Sequence, residues 1–422
     1  MSVVAAEIAK LRTSPMAKNA TWLFAGQGLG LVLQAAYFII LARLLGPLEY
    51  GVYAGAFAFA SLVAQYSALG TGTVFLRYVS SEPSAFSVYW GNILVVTSVV
   101  GGALVVALDL LGPRLLNPAS AALVLLAAIG NCVCAQLTTE SGRVFQTFEK
   151  MRLTALINLL TNLVRTIAAA AMLITLHRCT AWQWALISTL VSALAAAGIV
   201  ITITVRFGMP RFDSKLFLKR GAEGFGFAVA MSTSSLYNDL DKTMLSHYGM
   251  NHDNGVYSMA YRIVDIATIP IFSIRDAAMP RFFKLGRVGI ASSAELSHRL
   301  LRRTLALGVL GTATMFLAAP LIPIVVGHGF IEGVAALRWL CLIPLFRSVH
   351  QMTGCALTGA GMQRYRTATQ LLAATLNFSL NLWLIPKWGW HGAAWSSLCT
   401  DAALAAMNSG ILQFQLRHTT YA

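Results

Sequence analysis

The sequence predicts an all-α polytopic membrane protein with about twelve transmembrane helices. Of its 422 residues, 57% are hydrophobic and only 11% are charged, with a mean hydropathy of +0.68. Soluble globular proteins carry roughly 25% charged residues. The apolar runs have the length of about 20 residues that a helix needs to cross a bilayer. They lack the alternating pattern of about 10 residues that marks the strands of an outer-membrane barrel.

The apolar runs form two sets of six, which predicts two similar halves. The triplet Gly51-Val52-Tyr53 follows the first run, and Gly255-Val256-Tyr257 follows the seventh. Because six spans return the chain to the side on which it started, the halves are parallel repeats. We expect an N-terminal six-helix lobe over 1–205, a cytoplasmic linker over 206–220 and a C-terminal six-helix lobe over 221–422. A surface amphipathic segment is expected near 281–303.

The basic residues are distributed unevenly between alternate loops. The linker between the halves is rich in them, with Arg206, Arg211, Lys215, Lys219 and Arg220. The opposite loops carry only Arg43, Arg114, Arg178, Arg338 and Lys387. By the positive-inside rule the basic loops are cytoplasmic, and both termini lie inside. The net charge of +15 therefore reflects membrane topology, and no nucleic-acid partner is expected.

Two adjacent spans between Gly224 and Pro280 contain seven charged residues: Asp239, Asp241, Lys242, Arg262, Asp265, Arg275 and Asp276. A charge at the bilayer centre costs about 2.5–3.5 kcal/mol even on the lenient insertion scale, so these side chains cannot all face lipid. Asp239 and Lys242 are spaced to pair at i,i+3, and so are Arg262 and Asp265. Asp241 has no such partner on its own helix.

Two interpretations of this charged stretch remain open. The charges either neutralise one another as structural pairs, or they line a polar cavity or ion pathway. On the second interpretation Asp241, Asp239, Asp265, Lys242 and Arg262 are candidate ion-coupling residues, for H⁺ or Na⁺. Asp241 is favoured for coupling, against the alternative that it forms an interhelical bond to Arg262.

Other features argue against an enzyme. The chain has no Walker A motif, and the loops on the weakly charged side are short, so a catalytic domain there is not expected. The six cysteines are scattered, mostly inside spans, and are interpreted as small packing residues. We therefore predict no catalytic residues, no metal and no cofactor. His350 is the deepest histidine and could titrate.

Short motifs along the whole chain resemble one known group. They include Ala42-Arg43-Leu-Leu-Gly46-Pro47 with Tyr50-Gly51-Val-Tyr53, then Asp241 followed by Gly255-Val-Tyr257 and Tyr261-Arg262, and finally Gly392-Ala393-Ala394. In order and spacing they are similar to the polysaccharide-export or oligosaccharide flippase branch of the multidrug/oligosaccharidyl-lipid/polysaccharide (MOP) transporter superfamily.

The resemblance implies a MATE-like fold of two six-helix lobes and no enzymatic activity. It implies transfer of an undecaprenyl-pyrophosphate-linked oligosaccharide across the bacterial inner (plasma) membrane by alternating access, for surface polysaccharide biosynthesis. Polysaccharide polymerase or export machinery would be a partner. A cation-coupled multidrug exporter of the same superfamily is the main alternative. A membrane glycan polymerase or ligase is disfavoured because no large external loop is present.

Polar residues inside the spans could contact such a substrate. The candidates are Gln34, Asn158, Asn162, Arg165, Arg347, Asn377 and Asn381. An arginine fork suits a diphosphate, since it can donate two parallel hydrogen bonds to its oxygens. Arg165 and Arg347 are therefore the best diphosphate candidates. The alternatives are helix-packing hydrogen bonds for the amides and an interhelical ion pair, for example with Asp401, for either arginine.

Overall fold

In the computed structural model, which describes the backbone of residues 15–148 and 150–420, all regular secondary structure is helical. The α-helices are α1 Pro15–Ala64, α2 Thr71–Val79, α3 Phe86–Leu115, α4 Pro118–Ala121, α5 Val124–Ala128, α6 Gln136–Thr147, α7 Met151–Leu176, α8 Ala181–Phe207, α9 Ser214–His247, α10 Asn251–Gly286, α11 Ile290–Ala318, α12 Ile322–Val325, α13 Gly333–Leu340, α14 Ile343–Gly359 and α15 Gln363–Thr420. A π-helical stretch, Ile129–Ala135, joins α5 to α6, and short 3₁₀ turns lie at Pro83–Ala85, Ala319–Leu321 and His328–Phe330.

Two helices, α1 and α15, are each broken by a glycine into two segments. Gly46 in α1 has φ 68° and Gly389 in α15 has φ 51°, conformations that favour glycine. The 50 residues of α1 and the 58 residues of α15 would otherwise extend far beyond a hydrocarbon core of about 30 Å, at 1.5 Å per residue. Each is therefore counted as two spans.

Seven segments of the described chain are long and apolar enough to cross a membrane. They are Leu29–Ala64, Pro83–Leu115, Val124–Thr147, Leu153–Leu176, Ala181–Phe207, Ile290–Val325 and Gln363–His418. The charged helices α9 and α10 fail the apolarity requirement, although their 34 and 36 residues give ample length. Division of α1 and α15 at their kinks, together with α9, α10 and the α13–α14 pair, brings the number of spans to about twelve. The prediction of an all-helical protein with about twelve spans is confirmed.

Large apolar side chains lie on the outside of the helices. Leu194, Val205 and Leu317 are each more than 70% exposed, and many other large apolar side chains are exposed as well. A soluble protein does not leave so much contiguous apolar surface in water. Hydrocarbon solvates such side chains, and the chain is accordingly a multi-pass membrane protein.

The chain forms two compact units, each described here by itself. Unit 1 comprises the chain up to Leu44 together with Ala60–Ser232, and unit 2 comprises Leu45–Phe59 and Thr233–Ala422. The sequence suggested a division at the basic segment 206–220. By contacts, the second segment of α1 belongs largely to unit 2, and unit 1 continues into α9.

The core of unit 1 includes an aromatic cluster formed by α2, α3, α6 and α8. Phe86 packs edge-on against Phe75 and lies parallel to Trp90. The indole of Trp90 donates a hydrogen bond to Thr204 at 3.2 Å, which satisfies its buried N–H. These contacts hold α3 against α8.

The segment near 281–303 does not form a separate surface helix. Its first residues end α10, and α11 begins at Ile290. The apolar residues Phe282, Ile290 and Ala294 are buried in one cluster with Ala356 and Leu412 of α14 and α15. The apolar side of this segment therefore packs inside unit 2.

The repeated glycine triplets meet inside unit 2. A Cβ atom on Gly51 would overlap the carbonyl oxygen of Asn251, and one on Gly255 would overlap the carbonyl oxygen of Pro47. The second segment of α1 and the start of α10 are thus in backbone contact. Small residues permit this kind of close approach in membrane helices, where the hydrophobic effect contributes little to association.

We expect Gly255→Ala to destabilise the protein by about 1–3 kcal/mol, because the added methyl group must displace backbone. Thermal unfolding in detergent measures this. Gly410→Ala in α15 is the matched control, since a Cβ there meets nothing within 4 Å. That change should be neutral or stabilising by up to about 1 kcal/mol. Equal midpoints for the two variants would contradict the close contact.

Candidate functional site

The charged residues predicted on α9 and α10 converge with polar side chains of α14 and α15 in unit 2. We call this group the unit 2 polar cluster. Its members are Asp239, Asp241, Lys242, Tyr257, Tyr261, Arg262, Asp265, Arg347, His350, Ser397 and Asp401. All of them lie on α9, α10, α14 or α15, and Asp241, Lys242 and Arg347 are buried.

Asp241 is fully buried at the centre of the cluster. One carboxylate oxygen, Oδ2, accepts hydrogen bonds from the Tyr257 hydroxyl and from the Ser397 hydroxyl at 3.1 Å. The other, Oδ1, accepts the backbone N–H of Lys242 at 2.7 Å. Among the described residues, no basic nitrogen lies within 4.0 Å of this carboxylate. Asp241 is therefore hydrogen-bonded to hydroxyl groups of α10 and α15, and the interhelical bond to Arg262 that the sequence left open is not formed.

Lys242 follows Asp241 in the chain but points to different partners. Its Nζ donates to Asp239 at 2.7 Å and to the backbone carbonyl of Asn238 at 2.8 Å. The ammonium also lies 4.8 Å from the ring centroid of Tyr261, a favourable cation–π distance. The predicted pair at i,i+3 is present, and the lysine is 5% exposed.

Arg347 extends from α14 into the cluster and is 4% exposed. Its Nη1 donates to Asp265 and to Thr268, each at 3.3 Å. Its Nη2 donates to the Tyr261 hydroxyl at 2.7 Å and to the Asn238 side chain at 3.3 Å. The guanidinium is thus enclosed by α9 and α10, and its planar fork joins three helices.

A second carboxylate reaches Arg347 from α15. Asp401 lies 3.9 Å from Nε of Arg347 and 3.2 Å from Nε2 of His350. Both Asp401 and His350 are almost fully buried. The interhelical ion pair that the sequence left open for Arg347 is therefore the arrangement in this structure.

Arg262 and Asp265 form the more open edge of the cluster. Their predicted i,i+3 pair is present at 3.7 Å, and their side chains are 44% and 38% exposed. Asp265 also accepts the hydrogen bond from Arg347. Arg262 and Asp265 are therefore accessible to water, whereas the carboxylates of Asp241 and Asp401 are buried.

The charges of the unit 2 polar cluster do not cancel. Four carboxylates, Asp239, Asp241, Asp265 and Asp401, face three permanent cations, Lys242, Arg262 and Arg347. Each carboxylate except Asp241 has a basic partner within 4.0 Å. The arrangement can therefore accommodate one further monovalent positive charge beside Asp241.

Asn377 and Asn381 lie in the first segment of α15. Asn377 donates to Ser396 at 3.2 Å and to Thr400 at 3.1 Å in the second segment, and it accepts a hydrogen bond from Asn381. Both are fully buried. Asn377 joins the two segments across the kink, and Asn381 bonds to it within the first segment. These contacts are the helix-packing role left open for the two amides. The Oδ1 of Asn381 has no hydrogen-bond partner in the described structure.

The remaining candidates lie in unit 1. Arg165 of α7 is half-buried and donates a hydrogen bond from Nη2 to Ser192 of α8. Its Nε is buried and has no hydrogen-bond partner in the described structure. Asn162 is half-buried and Gln34 is exposed, while the side chain of Asn158 lies outside the described residues. The structure does not bring these four residues into one described cluster.

Reasoning from the sequence missed several members of the polar cluster and one buried pair in unit 1. Tyr257 was noted only within short sequence motifs, and Ser397 was not singled out. In unit 1, Glu140 is buried and pairs with Arg143 at 3.1 Å. The spacing of Glu140 and Arg143 at i,i+3 was the available signal. Nothing in the linear sequence places Ser397 beside Asp241.

We expect Arg347→Ala to lower the free energy of unfolding by about 3–5 kcal/mol, because it leaves Asp401 buried beside an empty space. The double variant Arg347→Met with Asp401→Leu should recover much of this loss, since no unpaired charge remains. Arg299→Ala, which removes an exposed i,i+4 pair with Glu295, is the control and should cost no more than about 1 kcal/mol. Thermal unfolding in detergent measures all three. A single variant no less stable than the control would contradict the ion-pair assignment.

Apolar outer surfaces, kinked membrane-length helices and a buried charged cluster define a polytopic membrane protein of the kind that handles polar solutes inside a bilayer. Residues 16–286, more than half of the chain, match the family model described as "Polysaccharide biosynthesis protein". The chain belongs to this family. No curated protein matches the sequence.

The fold is that of the MATE transporters of the MOP superfamily. An inward-facing multidrug resistance MATE family transporter is similar with a TM-score of 0.74 at 14% identity, covering 92% of this chain and 96% of that chain. An outward-facing MATE family transporter gives 0.61 at 13% identity, covering 98% of both. A MOP superfamily transporter from Pyrococcus furiosus, whose binding pocket is described as having reverse polarity, gives 0.62 at 13% identity, covering 96% and 97%.

Proposed function

We propose that the protein is a flippase that moves an undecaprenyl-diphosphate-linked oligosaccharide from the inner to the outer leaflet of the bacterial inner membrane. The membership in a polysaccharide biosynthesis family is the observation that carries this proposal. The transporter fold supports it, because the task is movement and involves no covalent chemistry. On this proposal both termini are cytoplasmic, in accord with the charge of the loops, and polysaccharide polymerase or export machinery receives the product.

The physical demands of this task agree with the molecule. A glycan head cannot cross hydrocarbon without polar partners, whereas the apolar polyprenyl tail is solvated by the lipid. The helices of both units are apolar outside and contain polar groups inside, including Arg165 in unit 1 and the unit 2 polar cluster. Cation-coupled multidrug export is the alternative, because a solved structure with this fold is described as a multidrug resistance transporter.

We assign the diphosphate contact to Arg165. Arg347 has its guanidinium enclosed by carboxylates and hydroxyls, so it would have to give up existing partners to bind phosphate. Arg165 has a buried Nε without a hydrogen-bond partner in the described structure. An unsatisfied buried donor requires an explanation, and a diphosphate oxygen would satisfy it.

The proposal is tested in proteoliposomes that contain a defined lipid-linked oligosaccharide and an external glycan-cleaving enzyme. Cleavage should approach completion with the wild-type protein, whereas in protein-free vesicles only the outer-leaflet fraction reacts. Arg165→Ala should slow flipping by roughly tenfold or more, the value of a charge-assisted hydrogen bond. Arg165→Lys should recover only part of the rate, because lysine lacks the fork.

Arg178→Ala, at an exposed position after α7, is the control for Arg165 and should flip at the wild-type rate. Wild-type vesicles that do not exceed protein-free vesicles would overturn the flippase proposal. If those vesicles instead accumulate or expel cationic drugs under an ion gradient, the multidrug alternative holds. Normal flipping by Arg165→Ala would remove only the diphosphate assignment.

We further propose that Asp241 couples transport to an ion gradient. A ligand shifts a two-state equilibrium only if it binds the two states with different affinity. Asp241 is the one carboxylate of the cluster that has no basic partner within 4.0 Å among the described residues. It is held by hydroxyls of α10 and α15, so a relative movement of these helices would change its affinity for H⁺ or Na⁺.

Asp241→Asn should preserve the yield, the unfolding midpoint and downhill exchange of substrate, because asparagine keeps the size and the acceptor oxygen. The same variant should lose the dependence of flipping on an imposed pH or Na⁺ gradient. Asp276→Asn, at an exposed residue of α10, is the control and should keep that dependence. A purely structural role predicts the opposite, a lower midpoint with unchanged gradient dependence in the surviving protein.

A further inference from the structure

Three side chains from separate segments of unit 2 meet away from the polar cluster. His252 and Asp253 lie in the first turn of α10, and Glu332 precedes α13. One ligand atom from each residue, an imidazole nitrogen or a carboxylate oxygen, lies within 4.8 Å of the other two. The loop charges predict that this side of the membrane is external. None of the three residues takes part in the proposed transport site.

Trp390, the residue after the kink in α15, fixes the orientation of both carboxylates. Its backbone N–H donates to Oδ2 of Asp253 and its indole Nε1–H donates to Oε2 of Glu332, each at 3.1 Å. The other oxygen of Asp253, Oδ1, lies 4.0 Å from Nδ1 of His252. Outer-shell donors of this kind orient the ligands in metal sites and are a regular part of them.

The backbone around the cluster is shaped for this arrangement. Gly389 has φ 51°, and a Cβ there would overlap Oδ2 of Asp253. The kink of α15 therefore brings the Trp390 N–H directly onto the carboxylate. Among the described residues, no lysine or arginine lies within 4.0 Å of Asp253 or Glu332. Two neighbouring carboxylates without a cation repel each other, and a bound metal ion removes that repulsion.

The donor set indicates which class of metal would bind. One imidazole nitrogen and two carboxylate oxygens suit Zn²⁺ and similar first-row divalent ions, whereas Ca²⁺ prefers oxygen ligands alone. Ligand atoms about 2.0–2.2 Å from a tetrahedral zinc ion are about 3.4 Å apart. The separations, none of which exceeds 4.8 Å, must therefore shorten by at most about 1.4 Å. Rotation of the exposed side chains of His252 and Glu332 can supply this movement.

We propose that His252, Asp253 and Glu332 form a binding site for a divalent transition-metal ion, with water completing its coordination. The ion would connect the start of α10, the turn before α13 and the second segment of α15. It would thereby stabilise this end of unit 2. The proposal does not depend on the identity of the transported substrate.

The test uses the full-length protein in detergent, with its affinity tag removed and bound metal stripped by a chelator. Titration calorimetry with ZnCl₂ should show one saturable site, and Zn²⁺ should raise the unfolding midpoint by several degrees. His252→Ala and Glu332→Gln should each weaken zinc affinity by at least the roughly 10–100-fold that loss of an outer-shell partner costs. Glutamine keeps an oxygen that accepts the Trp390 indole hydrogen bond, so folding should be preserved.

His328→Ala is the matched control, since His328 is an exposed histidine in the turn just before Glu332. It should leave both the affinity and the shift of the midpoint unchanged. Zinc binding that persists in the double variant of His252 and Glu332, or tighter binding of Ca²⁺ than of Zn²⁺ by the wild-type protein, would overturn the proposal. So would the absence of saturable zinc binding by the wild-type protein.

Discussion

The cost of isolating a charge from water governs the interior of unit 2. An uncompensated ion in a low-dielectric environment costs several kcal/mol, so each buried charge needs partners with good geometry. Arg347 meets this demand with donors directed at Asp265, Thr268 and Tyr261, and with Asp401 beside its Nε. Because these partners come from α10 and α15, the requirement to neutralise one guanidinium fixes the relative positions of three helices.

Close backbone packing and the polar cluster are connected through one short motif. In Gly255-Val256-Tyr257, the glycine allows α10 to approach the second segment of α1, and the valine is fully buried. The tyrosine, two residues later, delivers its hydroxyl to Asp241. Gly255 can therefore influence the carboxylate of Asp241 without contacting it, because the distance between α10 and α1 determines the position of the Tyr257 hydroxyl.

Asp241 and Arg347 illustrate two different uses of buried charge. Arg347 is enclosed by charged and polar partners. Such a buried ion pair constrains the positions of the helices that carry it, and it contributes little net stability. Asp241 is held by neutral hydroxyls from two helices, an environment that a relative movement of these helices would change. This contrast is the physical basis for assigning coupling to Asp241 and the diphosphate contact to Arg165, whose Nε has no hydrogen-bond partner in the described structure.

The amino-acid sequence by itself determined the membrane class, the all-helical architecture and the presence of charges inside two adjacent spans. Those features depend on composition and on residue spacing along one helix, as the pairs Asp239–Lys242 and Arg262–Asp265 show. Only the tertiary structure decided that Ser397 and Tyr257 hold Asp241 and that Asp401 pairs with Arg347. It also placed Leu45–Phe59 in unit 2 and brought His252, Asp253 and Glu332 together. Such contacts join residues as far apart in the chain as Gly51 and Asn254, which are separated by 203 positions. They arise from how kinked helices pack, which no local pattern encodes.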